Sequence, residues 1–288
     1  MTNSKYYNEE KNKIEQGVLY VVGTPIGNMS DISERALKVL SGVDYIAAED
    51  TRNTGKLLSM YGITQDYISY HEHNKSECGP KIIEKLKHGS SVALVTDAGM
   101  PAISDPGEDL VRLCSENGVK VTCIPGACAL ITALVLSGLN TRRFSFEGFL
   151  SANKGERKEQ LEKVKDDDRT LIFYEAPHKL KKTLGDILDI LGNRSIALCR
   201  ELTKLNEEIE RTTVEDAISL YNTKEPRGEY VLIVEGVKSE KKAEWQSLTV
   251  EEHVAFYISN GMDKMDAIKK TAKDRGVPKG EIYKQIIK

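Results

Sequence analysis

The stretch VALVTDAGMPAISDPG, residues 92–107, joins a short apolar run to a long loop rich in glycine, proline and aspartate. The apolar run Val92–Val95 predicts a buried strand. Asp105-Pro106 is typical of a helix cap and first turn, and a helix is predicted over Glu108–Asn117. Gly99 lets the intervening backbone approach a ligand closely. We therefore predict a ligand-binding loop, since loops on a rigid scaffold commonly carry binding.

The same succession of apolar strand, polar loop and amphipathic helix recurs through the first half of the chain. Apolar strands separated by helices indicate a parallel sheet covered on both faces. The other strands are predicted at Leu19–Val22, Tyr45–Ala48, Tyr67–Tyr70 and Val119–Ile124, and one intervening helix at Pro80–Lys87. Ligands bind beyond the carboxyl ends of such strands. Unusual residues gather there, at Gly23–Asn28, Glu49–Arg52, Asp97–Gly107 and Pro125–Ala129.

The second half predicts a second α/β domain, with strands of mixed direction. It begins with an apolar helix, Ala127–Leu136, and an alternating strand, Phe144–Leu150. A charged linker, Lys238–Glu244, leads to amphipathic helices that resemble a helix-turn-helix and end with a short helix at Glu281–Ile287. The predicted organisation is a polar tail (1–16), a parallel-sheet α/β domain (17–124), a mixed-sheet α/β domain (125–237), and a linker with a basic helical module (238–288).

The composition excludes several classes of protein. With 40% hydrophobic and 30% charged residues in 288, the chain is neither disordered nor collagen-like, nor a coiled coil or disulfide scaffold. No apolar run reaches the ~18 residues of a membrane span. The first residues lack the apolar segment of a secretory signal, so we expect a cytoplasmic protein. The five cysteines form no CxxC pair, and we expect reduced thiols.

The charge distribution sets the C-terminal end apart. The net charge of the chain is −3, but residues 238–288 carry +3 and residues 264–288 carry +5. An acidic body with a basic end indicates a module that meets an anionic partner, although a solvated helix face would give the same pattern.

Several common sites are missing from the sequence. GxGxxG, GxxxxGK[ST] and GxSxG do not occur, which argues against a Rossmann dinucleotide site, a P-loop and a serine hydrolase. His71 and His73 would share one face of a strand, but no third ligand lies nearby in the sequence. Since zinc sites need three or four protein ligands, we expect no metal.

An acidic cluster follows the strand at Tyr45–Ala48. Strand alternation points Glu49 and Asp50 to opposite sides, so they are not a paired acid and base. One of them is a candidate general base and the other a candidate cap for the helix that starts at Thr51. A purely structural role in capping and ion pairing is an equal alternative.

Six segments, taken together and in order, resemble the tetrapyrrole methylase superfamily and, within it, its bacterial branch of small-subunit rRNA 2'-O-ribose methyltransferases. They are VGTPIGNMSDISERAL (22–37), AAEDTRNTGKLL (47–58), TDAGMPAISDPG (96–107), IPGACA (124–129), FYEAPHKL (173–180) and RGEYVLIVEG (227–236). The resemblance covers residues 18–237, and the helical C-terminal segment also resembles the small terminal domain of that branch.

The resemblance implies two α/β domains that hold S-adenosylmethionine in the cleft between them. The family's cofactor loops fall on Thr24, Pro25, Asp97, Ala98, Gly99, Ile103, Ala127 and Cys128 in the first part, and on Phe173, Tyr174, Glu175, Leu202, Gly228 and Glu229 in the second. Cys128 stands where relatives more often have serine. A thiol is a poorer hydrogen-bonding group than a hydroxyl, so the resemblance implies a backbone contact at this position.

The resemblance also implies a homodimer and methyl transfer to the ribose 2'-hydroxyl of a P-site cytidine in 16S rRNA of the small ribosomal subunit. A ribose hydroxyl is a weak nucleophile that benefits from a base. The candidates are Glu49, Asp50, His71 and Glu175; we favour Asp50 or Glu49, with Arg52 orienting the RNA. The candidate RNA contacts are Lys56, Lys269, Lys270, Lys273, Arg275 and Lys279. A tetrapyrrole methyltransferase and a non-catalytic RNA-binding assembly protein are the alternatives.

Overall fold

The computed structural model describes residues 13–237 and 248–286. Most of the polar tail predicted over 1–16, the linker predicted over Lys238–Glu244, and Ile287 at the end of the last predicted helix lie outside the described residues. The chain divides into two compact units, Met1–Gly236 and Val237–Lys288. In the part that the structure describes, no helix has the length and apolar character needed to span a membrane.

Five parallel strands form the first sheet of the larger unit, in the order β3-β2-β4-β1-β5. They are β1 (Val18–Val22), β2 (Tyr45–Ala48), β3 (Asp66–Ser69), β4 (Val92–Val95) and β5 (Lys120–Ile124). The central strands β1 and β4 are buried along their whole length, which explains their unbroken apolar sequences. Because the strands are parallel, their carboxyl ends share one edge of the sheet.

Helices cover both faces of this sheet. They are α1 (Glu34–Gly42), α2 (Thr51–Met60), α3 (Lys75–Lys87) and α4 (Gly107–Glu116). On one face, Val18, Tyr20 and Val22 pack against the buried side of α1. On the other, Leu19 and Val21 pack against α3 and α4. Alternate residues of one strand thus belong to two separate cores, as a sheet buried on both faces requires.

Helix α3 begins five residues earlier in the chain than the sequence predicts. The prediction took Pro80 as the first residue, whereas the helix begins at Lys75 and contains Pro80. The first turn forms upstream, where the Asn74 carbonyl accepts from the backbone N–H groups of Glu77 and Cys78. Pro80 removes one backbone donor from the helix. The buried side chains of Ile82, Ile83 and Leu86 hold the helix on the sheet despite that loss.

The second sheet is mixed, in the order β6-β7-β10-β8-β9, with β6 and β7 parallel and the other pairs antiparallel. Its strands are β6 (Phe144–Phe149), β7 (Thr170–Glu175), β8 (Ser195–Arg200), β9 (Glu208–Thr213) and β10 (Tyr230–Val234). A register shift between Phe146 and Gly148 interrupts the alternation expected along β6. The predicted α/β fold, one parallel and one mixed sheet, is confirmed.

Four helices pack on this second sheet. They are α5 (Ala129–Ser137), α6 (Lys154–Lys163), α7 (Pro177–Leu191) and α8 (Val214–Thr223). The apolar helix α5 packs on one face, against Ile172, Ala197 and Ile233. The other three helices pack on the opposite face, together with Leu171 and Phe173. Ile26, from the loop after β1, joins the α5 side, so this face meets the first half of the unit.

The smaller unit contains three helices in its described part, α9 (Val250–Ser259), α10 (Lys264–Arg275) and α11 (Lys279–Ile286). Thr249 and Glu252 form a capping box at the start of α9, and Asp263 caps α10. Gly276 ends α10 in the left-handed conformation, with a φ of 66°. The core of the unit is small and consists of Val254, Ala267, Ile268, Ala272 and Ile282.

Two glycines bring the loops after β1 and β5 into contact. A Cβ atom added to Gly23 would lie 2.7 Å from the Gly126 Cα, and one added to Gly126 would lie 2.8 Å from the Gly23 Cα. Both distances are too short for a real Cβ atom, so neither position can carry a side chain while the other loop stays where it is. The two loops can pack backbone to backbone only because both positions lack a side chain.

We expect Gly23→Ala to lower the free energy of unfolding by about 1–3 kcal/mol, because the methyl group would overlap backbone atoms that cannot move independently. Urea unfolding followed by circular dichroism measures this change. The matched control is Gly185→Ala in α7, where a Cβ would meet no atom within 4 Å. That variant should gain up to about 1 kcal/mol in helix propensity. Equal stability of Gly23→Ala and the unmodified protein would contradict the proposed overlap.

Candidate functional site

A cavity of about 650 Å³ lies between the loops at the carboxyl edge of the first sheet and the α5 side of the second sheet. Its size is within the usual range for small-molecule sites. The first half of the unit contributes Ile26, Glu49, Thr96, Asp97, Ala98, Ile103, Ser104 and Asp105 to its wall. The second half contributes Ala129, Phe149, Tyr174, Glu175, Ala176, Pro177, Cys199, Leu202, Lys204, Glu229, Tyr230 and Val231.

The loop after β4 is tied to the loop after β1 by two backbone hydrogen bonds. The Thr24 N–H donates to the Gly99 carbonyl at 2.9 Å, and the Gly99 N–H donates to the Thr24 carbonyl at 3.2 Å. Gly99 has a φ of 87°, which glycine adopts without strain. The two loops therefore form one side of the cavity, and Thr24 is buried just behind the residues that line it.

The remainder of this loop is held in an unusual conformation. Ala102 and Ser104 both have a positive φ, near 65°, which non-glycine residues rarely adopt. The Asp105 Oδ1 atom accepts from the backbone N–H groups of Ala102 and Gly107, at 2.9 and 2.8 Å. Asp105 therefore fixes the turn into α4, but it is not the cap that the sequence predicted, because Pro106 is the N-cap residue and no side chain caps the helix there. Backbone strain of this kind persists where the surroundings enforce it, commonly at ligand sites.

The acidic pair at the end of β2 separates into two roles, as strand alternation predicted. Asp50 caps α2, because its side chain accepts from the backbone N–H groups of Arg52 and Asn53. It also pairs with the Arg52 guanidinium at 2.8 Å. The hydrogen bonds from Arg52 hold the pKa of the Asp50 carboxyl well below its usual range. Asp50 is thus a poor proton acceptor, and neither Asp50 nor Arg52 lines the cavity.

Glu49 faces the cavity instead. Its Oε2 atom accepts from the Thr96 hydroxyl at 3.0 Å. Among the residues that the structure describes, no cation forms an ion pair with Glu49. Beside it, the Asp97 carboxylate accepts from the Asn53 amide at 3.1 Å. The strand ends of β2 and β4 therefore present two carboxylates to the same space.

The end of β7 forms the opposite wall. Tyr174 lines the cavity, and burial raises its pKa to about 12, so the phenol is neutral at physiological pH. Glu175 is fully engaged: its carboxylate accepts from the Ala176 N–H and the Thr183 hydroxyl and pairs with Lys179 at 3.1 Å. Phe173 points to the opposite face of the sheet, into the core beneath α7. Its side chain cannot reach the cavity, and only its backbone remains a candidate contact.

A third loop, between β8 and β9, forms another side of the cavity through Leu202 and Lys204. Glu201 and Thr203 have positive φ values of 51° and 64°. The Thr203 hydroxyl accepts from the Asn28 N–H at 3.1 Å, which joins this loop to the loop after β1. Lys204 pairs with Glu201 and with Glu229, at 2.9 and 2.8 Å. The backbone of Gly228 packs directly against the Glu201 side chain, since a Cβ atom on Gly228 would lie 2.6 Å from it. Gly228, one residue before Glu229, therefore has a structural role.

The structure brings together eight of the residues singled out in the sequence. Those in the cavity wall are Glu49, Asp97, Ala98, Ile103, Tyr174, Glu175, Leu202 and Glu229. Outside the wall lie Thr24, Pro25, Gly99, Ala127, Cys128, Phe173, Gly228, Asp50, Arg52 and Lys56, several of them in the loops just behind it. Sequence reasoning missed Phe149 and Lys204, whose place depends on contacts between distant segments. No signal in either local sequence would have identified them.

The charge of the wall favours a cationic ligand. Five acidic side chains line it, Glu49, Asp97, Asp105, Glu175 and Glu229, against a single lysine, Lys204. Tyr174, Leu202 and Ala129 supply apolar surface between them. A cleft lined by one sign of charge attracts ligands of the other sign. The wall therefore suits a ligand with positive groups and an apolar body.

The cations predicted to contact RNA differ in how available they are. Lys56 is exposed on α2, with no ion-pair partner among the described residues. In the smaller unit, Lys269 pairs with Asp266 and Lys270 with Asp274. Arg275 is occupied internally, because it donates to the His253 Nδ1 atom and to the carbonyls of Leu248 and Thr249. Lys273 and Lys279 are exposed and form no ion pair within residues 248–286.

Comparison with known proteins identifies a family and several solved structures with this architecture. The family model described as Tetrapyrrole (Corrin/Porphyrin) Methylases matches residues 18–218. Among solved structures, diphthine synthase aligns with a TM-score of 0.59 at 16% identity, covering 76% of this chain and 89% of that one. Uroporphyrin-III-C-methyltransferase from Thermus thermophilus aligns with a TM-score of 0.54 at 20% identity, covering 76% and 94%. At these identities the structural matches concern the fold alone.

Much closer relatives exist among curated proteins. The protein named ribosomal RNA small subunit methyltransferase I from Bacillus subtilis (strain 168) is 50% identical over 275 residues, 94% of both chains. The protein of that name from Halalkalibacterium halodurans is 50% identical over 93% of this chain and 94% of that one. The one from Synechocystis sp. is 43% identical over 93% and 96%. The chain therefore belongs to the tetrapyrrole (corrin/porphyrin) methylase family, in the group of small-subunit ribosomal RNA methyltransferases I.

Proposed function

We propose that this enzyme transfers a methyl group from S-adenosylmethionine to the ribose 2'-hydroxyl of a cytidine in the P-site region of 16S rRNA in the small ribosomal subunit. The observation that carries the proposal is the acidic cavity, with Glu49 in its wall. The curated relatives named above, at up to 50% identity, support rRNA as the acceptor.

The residues present fit this methyl donor. S-adenosylmethionine, when bound, supplies an electrophilic methyl group on a sulfonium cation and also carries an amine and an apolar adenine. The carboxylate of Asp97 faces the cavity and suits the positive groups, whereas that of Glu229 already pairs with Lys204. Ile103, Tyr174 and Leu202 offer apolar surface for the adenine. Backbone groups at Ala98, behind the Thr24–Gly99 bridge, suit its polar edges.

We assign the general base to Glu49 rather than to Asp50. Glu49 lines the cavity, and the Thr96 hydroxyl fixes one of its carboxylate oxygens. Asp50 lies outside the wall and is committed to the α2 cap and to Arg52. Glu175 is committed to Ala176, Thr183 and Lys179. Of the three carboxylates that the sequence offers as bases, that of Glu49 is thus the one free to take the proton of a ribose hydroxyl.

RNA binding needs cations outside the acidic cavity, because phosphate contacts dominate such affinity. Lys56 in the larger unit and Lys273 and Lys279 in the smaller unit are exposed, with no ion-pair partner among the described residues. We assign the phosphate contacts to these three. Arg52, Lys269 and Lys270 contribute less, since an acidic side chain already neutralises each one.

We also infer that two copies of the chain associate through α5. This helix has apolar side chains on its outer as well as its inner side, and a helix that is hydrophobic all round is normally buried. Its outer side chains, Ile131 and Val135, are 44% and 70% exposed in the single chain. A symmetric dimer would cover this face with the same face of a second copy.

The first test is methyl transfer from labelled S-adenosylmethionine to small ribosomal subunits from cells that lack this protein. Nucleoside analysis should find one new 2'-O-methylated cytidine. Glu49→Gln should lower kcat by between about 10²- and 10⁴-fold, because the base is lost while the hydrogen bond from Thr96 is kept. Calorimetry should find the donor affinity little changed.

Asp50→Asn is the matched comparison, since asparagine caps helices as well as aspartate does. A larger loss of kcat in Asp50→Asn than in Glu49→Gln would refute the assignment of the base. Binding of S-adenosylmethionine without methylation of any RNA would refute the proposed reaction, and would favour a tetrapyrrole acceptor or a non-catalytic role in assembly.

Replacing Lys273 and Lys279 together by alanine should weaken RNA binding and its dependence on salt. Two lost phosphate contacts reduce the slope of log K against log salt concentration by about 1.4 to 1.8. Titration of a labelled 16S rRNA fragment at several salt concentrations measures the slope. The control is the double alanine variant of Lys269 and Lys270, which lie on α10, as Lys273 does, but are ion-paired. An equal reduction of the slope in both double variants would contradict the assignment of the phosphate contacts to Lys273 and Lys279.

Val135→Glu should convert the dimer to a monomer, because two carboxylates would be buried against each other at the symmetric contact. Analytical ultracentrifugation measures the mass of the particle. Glu215→Lys on α8 is a control that changes the charge of an exposed helix elsewhere. If the unmodified chain sediments as a monomer at micromolar concentration, the inferred interface does not exist.

A further inference from the structure

An exposed aromatic ring faces the cavity without a role in the site described so far. Phe149, the last residue of β6, lines the cavity and is 54% exposed. Of the aromatic rings in the described part of the cavity wall, it is the most exposed, since Tyr230 is 2% exposed and Tyr174 is half-buried. Exposing an apolar ring is unfavourable by the hydrophobic effect, and a large exposed apolar surface in a groove commonly marks a binding site.

A bulge in β6 directs this ring into the cavity. In a regular strand, Phe146 and Phe149 are three residues apart and lie on opposite faces. Here Phe146 pairs with Ile172 and Phe149 pairs with Tyr174, because the register shifts by one between Phe146 and Gly148. Gly148 has a φ of 65°, which accommodates the irregularity. Both phenylalanines therefore face the α5 side of the sheet. Bulges beside active sites commonly re-aim a side chain in this way.

The ring is also braced from behind. Tyr174 makes edge-to-face contacts with Phe146 at 4.9 Å and with Phe149 at 5.4 Å between ring centroids. The Lys179 ammonium lies 5.8 Å from the centroid of Phe149. Lys179 is itself fixed by Glu175 and by the Leu150 carbonyl, at 3.1 and 2.9 Å. The exposed ring is therefore held in place before any ligand arrives.

The proposed reaction supplies a ligand for such a ring. A ribose hydroxyl that reaches Glu49 must enter the cavity, and the base attached to that ribose must enter or cover it as well. A nucleotide cannot do this while stacked in an RNA helix, so the base leaves its neighbours and loses their stacking. Aromatic side chains replace that stacking in many RNA-binding proteins.

We propose that Phe149 is the stacking platform for the nucleobase of the target nucleotide. This inference rests on the proposed function, because it assigns a subsite for the acceptor in the same cavity. Ile103, which is 40% exposed on the loop after β4, lines the same cavity and gives the base a second apolar surface. Gly148 lies close to that loop, since a Cβ there would be in van der Waals contact with the Ser104 hydroxyl at 3.5 Å.

The test compares substitutions of Phe149 in the methyl-transfer assay on small ribosomal subunits, with the donor affinity measured separately by calorimetry. Phe149→Ala should lower kcat/KM for the subunit by roughly 5- to 150-fold, the range that corresponds to one lost base–aromatic stacking contact. Its dissociation constant for S-adenosylmethionine should stay within about twofold. Phe149→Tyr keeps a stacking ring and should retain most of the activity. Phe149→Leu keeps apolar volume without a ring and should behave like the alanine variant.

Phe144→Ala is the matched control, because Phe144 lies on the same strand, is 37% exposed and is not part of the cavity wall. It should leave kcat/KM unchanged. Two results would overturn the proposal: a loss of donor affinity in Phe149→Ala that parallels the loss of activity, which would assign the ring to the donor, or full activity in Phe149→Leu. Absence of RNA methylation by the unmodified enzyme would instead refute the proposed function, and this inference with it.

Discussion

The pair of backbone hydrogen bonds between Thr24 and Gly99 is the contact on which the site depends. It joins the loops after β1 and β4, while the close approach of Gly23 to Gly126 joins the loop after β5. Neither contact involves a charged side chain. The loops are therefore joined to one another through backbone contacts alone. Their carboxylates are not needed to hold the loops together and remain available for a ligand. A parallel sheet favours this arrangement because it delivers every strand end to one edge.

The acidic residues of the site differ in function because they differ in their partners. Asp50 is used by the α2 cap, Asp105 by the turn into α4, and Glu175 by the start of α7. Each accepts backbone hydrogen bonds, and a carboxylate used in this way stabilises structure. Glu49 accepts from one hydroxyl, at Thr96. Proximity in the sequence, as for Glu49 and Asp50, thus says little about chemical role, whereas the number of committed hydrogen bonds separates the two.

The fold and the loops at the carboxyl edge of the first sheet were predictable from the sequence for a physical reason. Buried parallel strands are short apolar runs, and the loops that follow them need glycine, proline and aspartate, so strand ends and binding loops are both visible locally. The remainder depends on long-range contacts. The bulge at Gly148 is defined by pairing with β7, the place of Lys204 by Glu201 and Glu229, and the internal use of Arg275 by His253. The sequence alone does not show whether the fold places an acidic side chain next to a given lysine or arginine.

Affinity and selectivity for RNA are assigned to different parts of the chain. Phosphate contacts position a protein on a nucleic acid without reading it, and exposed lysines such as Lys273 and Lys279 suit that task. The cavity repels phosphate, since its wall is acidic. In the proposed reaction, a nucleotide must therefore be brought to the cavity by cations elsewhere and be held inside it by contacts that are not ionic. An aromatic ring held by its neighbours satisfies this requirement, because stacking is insensitive to the negative charge that, in our proposal, attracts the cationic donor.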